Sequence, residues 1–267
     1  MIITVKGLVT AEVPIGDYDK LLTVFTKEYG KITVMGKGIR SIKSRYMTAT
    51  QLFCYSEFVL SYKEDRYWLR EAVNLEIFFN IRNYIERVAL AEYLLDLLNA
   101  YCVEGEEDPE LLRLVLNSLY AIDKNIKPRE QIKAVFELKI GCISGFMPDL
   151  VACHNCGKYI DDNMYLDIID PRLVCSECIS QIKHDKSLNS EPMYTVRITG
   201  AVLTAMRFVA FSPIEKCLSF VIGDSDMKIF SNICERYAAE RVEKKLDTLK
   251  FYKEVSLNEF SKSTNNS

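Results

Sequence analysis

The chain has 267 residues, 49% of them hydrophobic, with 34 Lys+Arg against 37 Asp+Glu and a formal net charge of -3. That composition excludes collagen, coiled coil and general disorder, and the length predicts two or three small domains. A globally acidic chain exerts no long-range pull on a polyanion, so any phosphate backbone must be held by a local patch.

The first eighty residues read as strands. Ile2–Val5 and Leu8–Val9 precede a turn at Pro14, Gly16 and Asp17; Leu21–Thr26 and Lys31–Met35 follow, then Gln51–Tyr55 leading to Phe58–Tyr62, and Tyr67–Val73. These segments are short, rich in β-branched residues and bounded by Gly and Pro. About five antiparallel strands in this length predict a small closed barrel of the OB type, because closure removes exposed strand edges. From Ile81 the apolar period lengthens to that of a helix. One helix is expected through Ile85 to Tyr101, a second opened by Pro109, and a third opened by Pro128 and stopped at Gly145-Phe146-Met147-Pro148. Further helices are expected from Thr199-Gly200 to Pro213 and, as one long amphipathic element, from Met227 through Arg241 to about Tyr252; after Val255 a disordered tail is expected. The fold class is therefore α+β and multidomain. The expected boundaries are a barrel over 1–78, an all-α domain over 79–150 and 191–255, a zinc-finger insertion over 151–190, and a tail over 256–267.

Cys153-His154-Asn155-Cys156 and Cys175-Ser176-Glu177-Cys178 form two C-x2-C pairs. Their spacing fits one structural zinc ion held by Cys153, Cys156, Cys175 and Cys178, with no open position for catalysis. Two residues between thiols allow a tight turn that aims both sulfurs at one ion, and Gly157 can take the positive φ such a turn needs. A redox dithiol fits less well, because there are two pairs and no parallel-sheet pattern around them. His154 is expected to point away from the thiols, and Cys54, Cys102, Cys142, Cys217 and Cys234 to be small core residues.

No basic leader followed by an apolar run opens the sequence, and no stretch of about 18 apolar residues occurs, so a cytoplasmic location without membrane contact is expected. Cysteines in that compartment stay reduced or bind metal. Phosphate-cradling glycine loops, serine-hydrolase elbows and zinc-hydrolase motifs are absent, and with two histidines in all the chain is expected not to be an enzyme. What remains is binding. Between Tyr29 and Ser56 lie Lys31, Lys37, Arg40, Lys43 and Arg45 and no acidic residue. On a strand and the glycine-containing loop after it, these cations suit phosphate oxygens, with Ser41, Ser44 and Tyr46 as added donors. OB barrels pair such a groove with aromatic platforms, but no ring can be matched to a base at this level.

The order of parts resembles the bacterial recombination mediator family RecO from Ile3 to about Val255. The resemblance rests on Gly30-Lys31 to Lys37-Gly38-Ile39-Arg40 with Lys43-Ser44-Arg45, on Gly145-Phe146-Met147-Pro148-Asp149-Leu150 running into the two cysteine pairs, and on the closing Arg241–Leu249 segment. It implies a DNA repair and recombination protein that binds single- and double-stranded DNA, anneals complementary strands, and works with RecR and the C-terminal tail of SSB so that RecA loads. By position it implies DNA contacts at Lys37, Arg40, Lys43 and Arg45, and less directly at Lys31. It also implies an SSB-tail site in the helical region, where Arg129, Lys133 and Lys139 lie among apolar residues without defining a groove. The acidic Glu104–Asp108 loop departs from what a DNA binder needs, so affinity should be patch-limited and salt-dependent. The alternative is a zinc-stapled protein-interaction scaffold with a merely solvated basic loop.

Overall fold

The computed structural model describes residues 1–160, 163–184, 194–243 and 245–264. Contacts divide the chain into two compact units, Met1–Ile126 with Leu246–Ser267, and Lys127–Lys245.

The first unit starts with β1 (Ile2–Ile15), β2 (Asp19–Thr26), β3 (Gly30–Gly36), β4 (Cys54–Lys63) and β5 (Arg66–Ile77), closed in the order β1-β2-β3-β5-β4. This is the five-stranded barrel expected. β1 is one long strand and not two pieces: its first half pairs with β4 and its second half with β2, around an irregularity between Val9 and Ala11. Bending one strand across two neighbours is how a small barrel turns its corner. Gly7 sits in that crossing, where an added Cβ would lie 2.5 Å from Val24 Cγ1. β3 closes on β5 in parallel through Val34–Tyr67 and Met35–Trp68. Val5, Val9, Leu22, Val24, Ile32, Val34, Phe58 and Leu60 fill the interior in period-two alternation. Gln51–Phe53, expected to open a strand, instead forms turns, with Phe53 at φ 65°.

A 3-10 turn (Phe79–Asn83) leads into α1 (Ile85–Tyr101) and α2 (Pro109–Asp123). α2 starts where the sequence says: Asp108 accepts a hydrogen bond from Leu111 N at 2.9 Å and Pro109 takes the first helical position. The Asp123 carboxylate at the far end accepts from Asn80 N at 2.7 Å and from Asn80 Nδ2 at 3.2 Å, pinning the 3-10 turn. α7 (Asp247–Thr264) returns to this unit and packs on α1.

The second unit holds α3 (Arg129–Ile143), β6 (Asp149–Cys153), β7 (Met164–Asp167), β8 (Arg172–Cys175), α4 (Ser176–His184), β9 (Thr195–Ile198), α5 (Gly200–Phe211) and α6 (Asp224–Ala239). Its sheet runs β6-β8-β7-β9, with β7 and β8 as an antiparallel hairpin. Ala134, Val135 and Leu138 of α3, Leu166 and Leu173 of the sheet, Val202 and Met206 of α5 and Phe230 and Ile233 of α6 share one core.

α1, α2 and α7 belong to the unit that holds the barrel, while α3, α5 and α6 share a core with the cysteine-bearing sheet. The expected end of the insertion at residue 190 falls outside the described residues. The closing helix, expected as one element, is not continuous. α6 ends at Ala239, where the Arg241 guanidinium turns back to donate to Tyr237 O at 2.6 Å and lies over the Tyr237 ring, and α7 begins at Asp247. A cation on the last carbonyls is a C-terminal stop, not a propagation signal. α7 runs on to Thr264, past the point where the tail was expected to begin, and 265–267 lie outside the described residues.

Candidate nucleic-acid interface and four-cysteine centre

The segment between β3 and β4 is a series of turns closed by Ser44 N to Ser41 O at 2.8 Å, Met47 N to Ser44 O at 3.3 Å and Thr50 N to Tyr46 O at 3.1 Å. Two apolar side chains, Ile39 and Ala49, plug it into the barrel core. Gly38, at φ 68°, donates its N–H to Asp19 Oδ1 at 2.8 Å, and Arg40 N donates to Tyr18 O at 2.9 Å. The loop is therefore held at both ends and along the β1–β2 turn.

On this frame Lys37, Arg40, Lys43 and Arg45 are all exposed, and among the described residues none of them is ion-paired. Lys37 Nζ stands 4.8 Å from the Trp68 ring centroid, Arg45 lies 4.8 Å over the Tyr46 ring, and Arg40 donates from Nη1 to Gly16 O at 2.7 Å. These contacts orient the cations without neutralising them. Lys31 is set apart. Its ammonium donates to Asn99 O and Cys102 O at 3.0 Å each, capping the last turn of α1. The acidic loop is stitched to the same strand: Gly105 N donates to Lys31 O at 3.3 Å, and a Cβ on Gly30, at φ 55°, would overlap the Glu106 carbonyl. Of the aromatic residues, Phe25, Phe53 and Phe58 are core, while Tyr29, Tyr62, Tyr67 and Trp68 reach the surface around the start of β5.

In the second unit the Sγ atoms of Cys153, Cys156, Cys175 and Cys178 all lie within 4.8 Å of one another. Cys156 and Cys175 are 3.6 Å apart, close to the edge of a tetrahedron with metal–sulfur bonds of about 2.3 Å. Gly157, at φ 74°, turns the first pair, with Gly157 N donating to Cys153 O at 2.8 Å. The second pair runs from the end of β8 into the first turn of α4, where a helix N-terminus favours thiolates. Burial works against ionisation of Cys153, but N–H groups of Cys175, Cys156 and Asn155 aimed at its sulfur bring its pKa down to about 6. Cys178 moves the other way, raised by burial and by the neighbouring thiols. Three of the four are buried, so the donor set matches a closed, soft-metal structural site. His154 is not part of the cluster and donates its backbone N–H to Leu173 O at 2.8 Å.

Lys133 and Lys139 turn inward. Lys133 Nζ lies 2.8 Å from Glu137 and 2.9 Å from Glu235, and Lys139 Nζ donates to Ala210 O at 2.9 Å and Ser212 O at 2.8 Å. Burial opposes the Lys133 charge, yet the two carboxylates hold its pKa above the ordinary lysine value. The sequence reading missed this. Its signal was a cation at the spacing of the apolar face of α3, beside Glu137 one turn on.

Among the described residues no helix is long and apolar enough to cross a membrane. The family model described as Recombination protein O N terminal matches residues 1–78, and that described as Recombination protein O C terminal matches 82–250. The DNA repair protein RecO of Acetivibrio thermocellus is 33% identical over 248 residues, covering 93% of this chain and 95% of that one. The DNA repair proteins RecO of Alkaliphilus metalliredigens and Caldicellulosiruptor saccharolyticus are 33% and 30% identical over 67% and 74% of this chain, and 72% and 80% of their own. With both halves matched in order and one relative aligned almost end to end, the chain belongs to the RecO family of DNA repair proteins.

Proposed function

We propose that this protein acts in DNA repair and homologous recombination as a non-catalytic mediator. It binds single- and double-stranded DNA on the barrel, anneals complementary strands, and with RecR and the SSB C-terminal tail helps RecA load in the bacterial cytoplasm at the nucleoid. The observation that carries the reading is the pinned β3–β4 loop, whose four exposed cations have no carboxylate partner among the described residues, on a chain that is acidic overall. Four unpaired cations held on a firm frame take up phosphates with little ordering of their own. Lys37, Arg40, Lys43 and Arg45 carry the contact, and Lys31 supports it indirectly by fixing α1 to the strand that leads into the loop. The four cysteines hold one zinc ion that staples the second unit; zinc there supplies fold stability and not a reactive water.

Fluorescence anisotropy with labelled single-stranded and duplex DNA tests the assignment. Lys37→Ala/Arg40→Ala should weaken both forms by roughly tenfold or more, each phosphate contact contributing to a sequence-independent electrostatic term. Unchanged affinity in that variant removes the site, and no binding by the unmodified protein favours a protein-interaction scaffold.

A further inference from the structure

The outward face of β2 and β3 carries a cleft of 550 Å³, a size usual for small-molecule sites. Its lining includes the apolar Leu21 and Met35, the rings of Tyr29 and Tyr67, and the carboxylates of Asp65 and Glu104. The Tyr29 and Tyr67 centroids are 6.5 Å apart, and Tyr62 packs against Tyr67 at 4.9 Å while donating from its hydroxyl to Asp65 Oδ1 at 3.0 Å. Although Lys31 also lines the cleft, its ammonium is committed to Asn99 and Cys102. A phosphate placed here would face the carboxylates of Asp65 and Glu104, with Arg66 opposing them and Lys31 holding its donors on Asn99 and Cys102. A flat, neutral ring meets the opposite situation: apolar side chains and aromatic faces to lie on, and acceptors for its amino group. Side-chain alternation along β3 puts Lys31, Thr33 and Met35 on this face and leads directly to Lys37 and the cationic loop.

We propose that this cleft is a nucleobase pocket, in which Tyr67 stacks one unpaired base bearing an exocyclic amine and Tyr29, tilted 56° to it, closes the edge of that base, while the adjoining phosphates run over Lys37, Arg40, Lys43 and Arg45. The assignment rests on the nucleic-acid reading above and deepens it: the loop takes either strand form, and the pocket accepts only a base that is free of its partner. Cytosine presents its N4 amine to Asp65 and Glu104, whereas thymine presents carbonyl oxygens there.

Anisotropy with labelled oligo(dC), oligo(dT) and a duplex separates the two contributions. Tyr67→Leu keeps apolar bulk in a half-buried strand position and removes the ring, and Tyr67→Phe keeps the ring. Tyr67→Leu should weaken oligo(dC) binding by roughly tenfold and duplex binding by less than about twofold, with Tyr67→Phe near the unmodified protein. Oligo(dC) should bind several-fold more tightly than oligo(dT). Unchanged oligo(dC) affinity in Tyr67→Leu, or an equal loss on single strand and duplex in a variant whose thermal melt is unchanged, overturns the pocket. Equal affinity for the two homopolymers overturns the carboxylate contact. Tyr29→Leu repeats the test should Tyr67→Leu fail to fold. If Lys37→Ala/Arg40→Ala binds normally while Tyr67→Leu does not, the phosphate path is wrong and the pocket stands; the reverse pattern removes the pocket alone.

Discussion

Lys31 and its four cationic neighbours in sequence show how position decides what a charge does. All five lie within one acid-free stretch, yet the Lys31 ammonium is spent on the carbonyls of Asn99 and Cys102, at a helix end where a cation is favoured, while the other four face solvent. Lys31→Met, which keeps the stem and removes the charge, should lower stability by about 2 kcal/mol, the scale of a charge-assisted hydrogen bond, and leave DNA affinity closer to that of the unmodified protein than Lys43→Ala does. Denaturant melts and anisotropy read the two effects separately. A loss of affinity with no loss of stability would return Lys31 to the contact set. Lys133 and Lys139 make the same point in the second unit: each is a lysine whose amine is consumed inside the fold.

At the scale of elements, the starts and stops of helices were legible because they are local chemistry. Asp108-Pro109, Pro128, Thr199 and Gly145 act within a few residues of where they stand. The break between α6 and α7 was not legible, because Arg241 continues an amphipathic pattern in sequence and reveals itself as a stop only when its guanidinium folds back on Tyr237. The cysteine pairs were legible for a different reason: C-x2-C spacing constrains two sulfurs whatever surrounds them. With zinc bound, Cys153→Ser should release about one ion per molecule on elemental analysis and lower the melting temperature, since a small sheet unit with a buried thiolate cluster draws folding energy from the metal. DNA binding by the barrel should persist in that variant. Full metal retention would sink the four-thiolate assignment.

The molecule as a whole is acidic, so on the proposed reading its DNA affinity comes from a few charges acting at short range. With about four phosphates neutralised by Lys37, Arg40, Lys43 and Arg45, the slope of log K against log salt should be roughly -3 for single strands and nearer -4 for duplex. A titration series at several salt concentrations measures it. A slope near zero contradicts electrostatic capture, and one near -10 would require cations well beyond this loop.

By itself the sequence determined the five-strand count of the barrel, the starts of α1, α2, α3 and α5, the four-cysteine cluster and the location of the cationic stretch, all of which depend on periodicity or spacing over a few residues. Tertiary structure alone decided which helices accompany the barrel, that Lys31 serves α1, and that Tyr29, Tyr62 and Tyr67 meet beside Asp65 and Glu104. Those facts depend on which distant segments come into contact, and a local pattern of apolar and charged residues is compatible with many such pairings until the barrel closes and the core is packed.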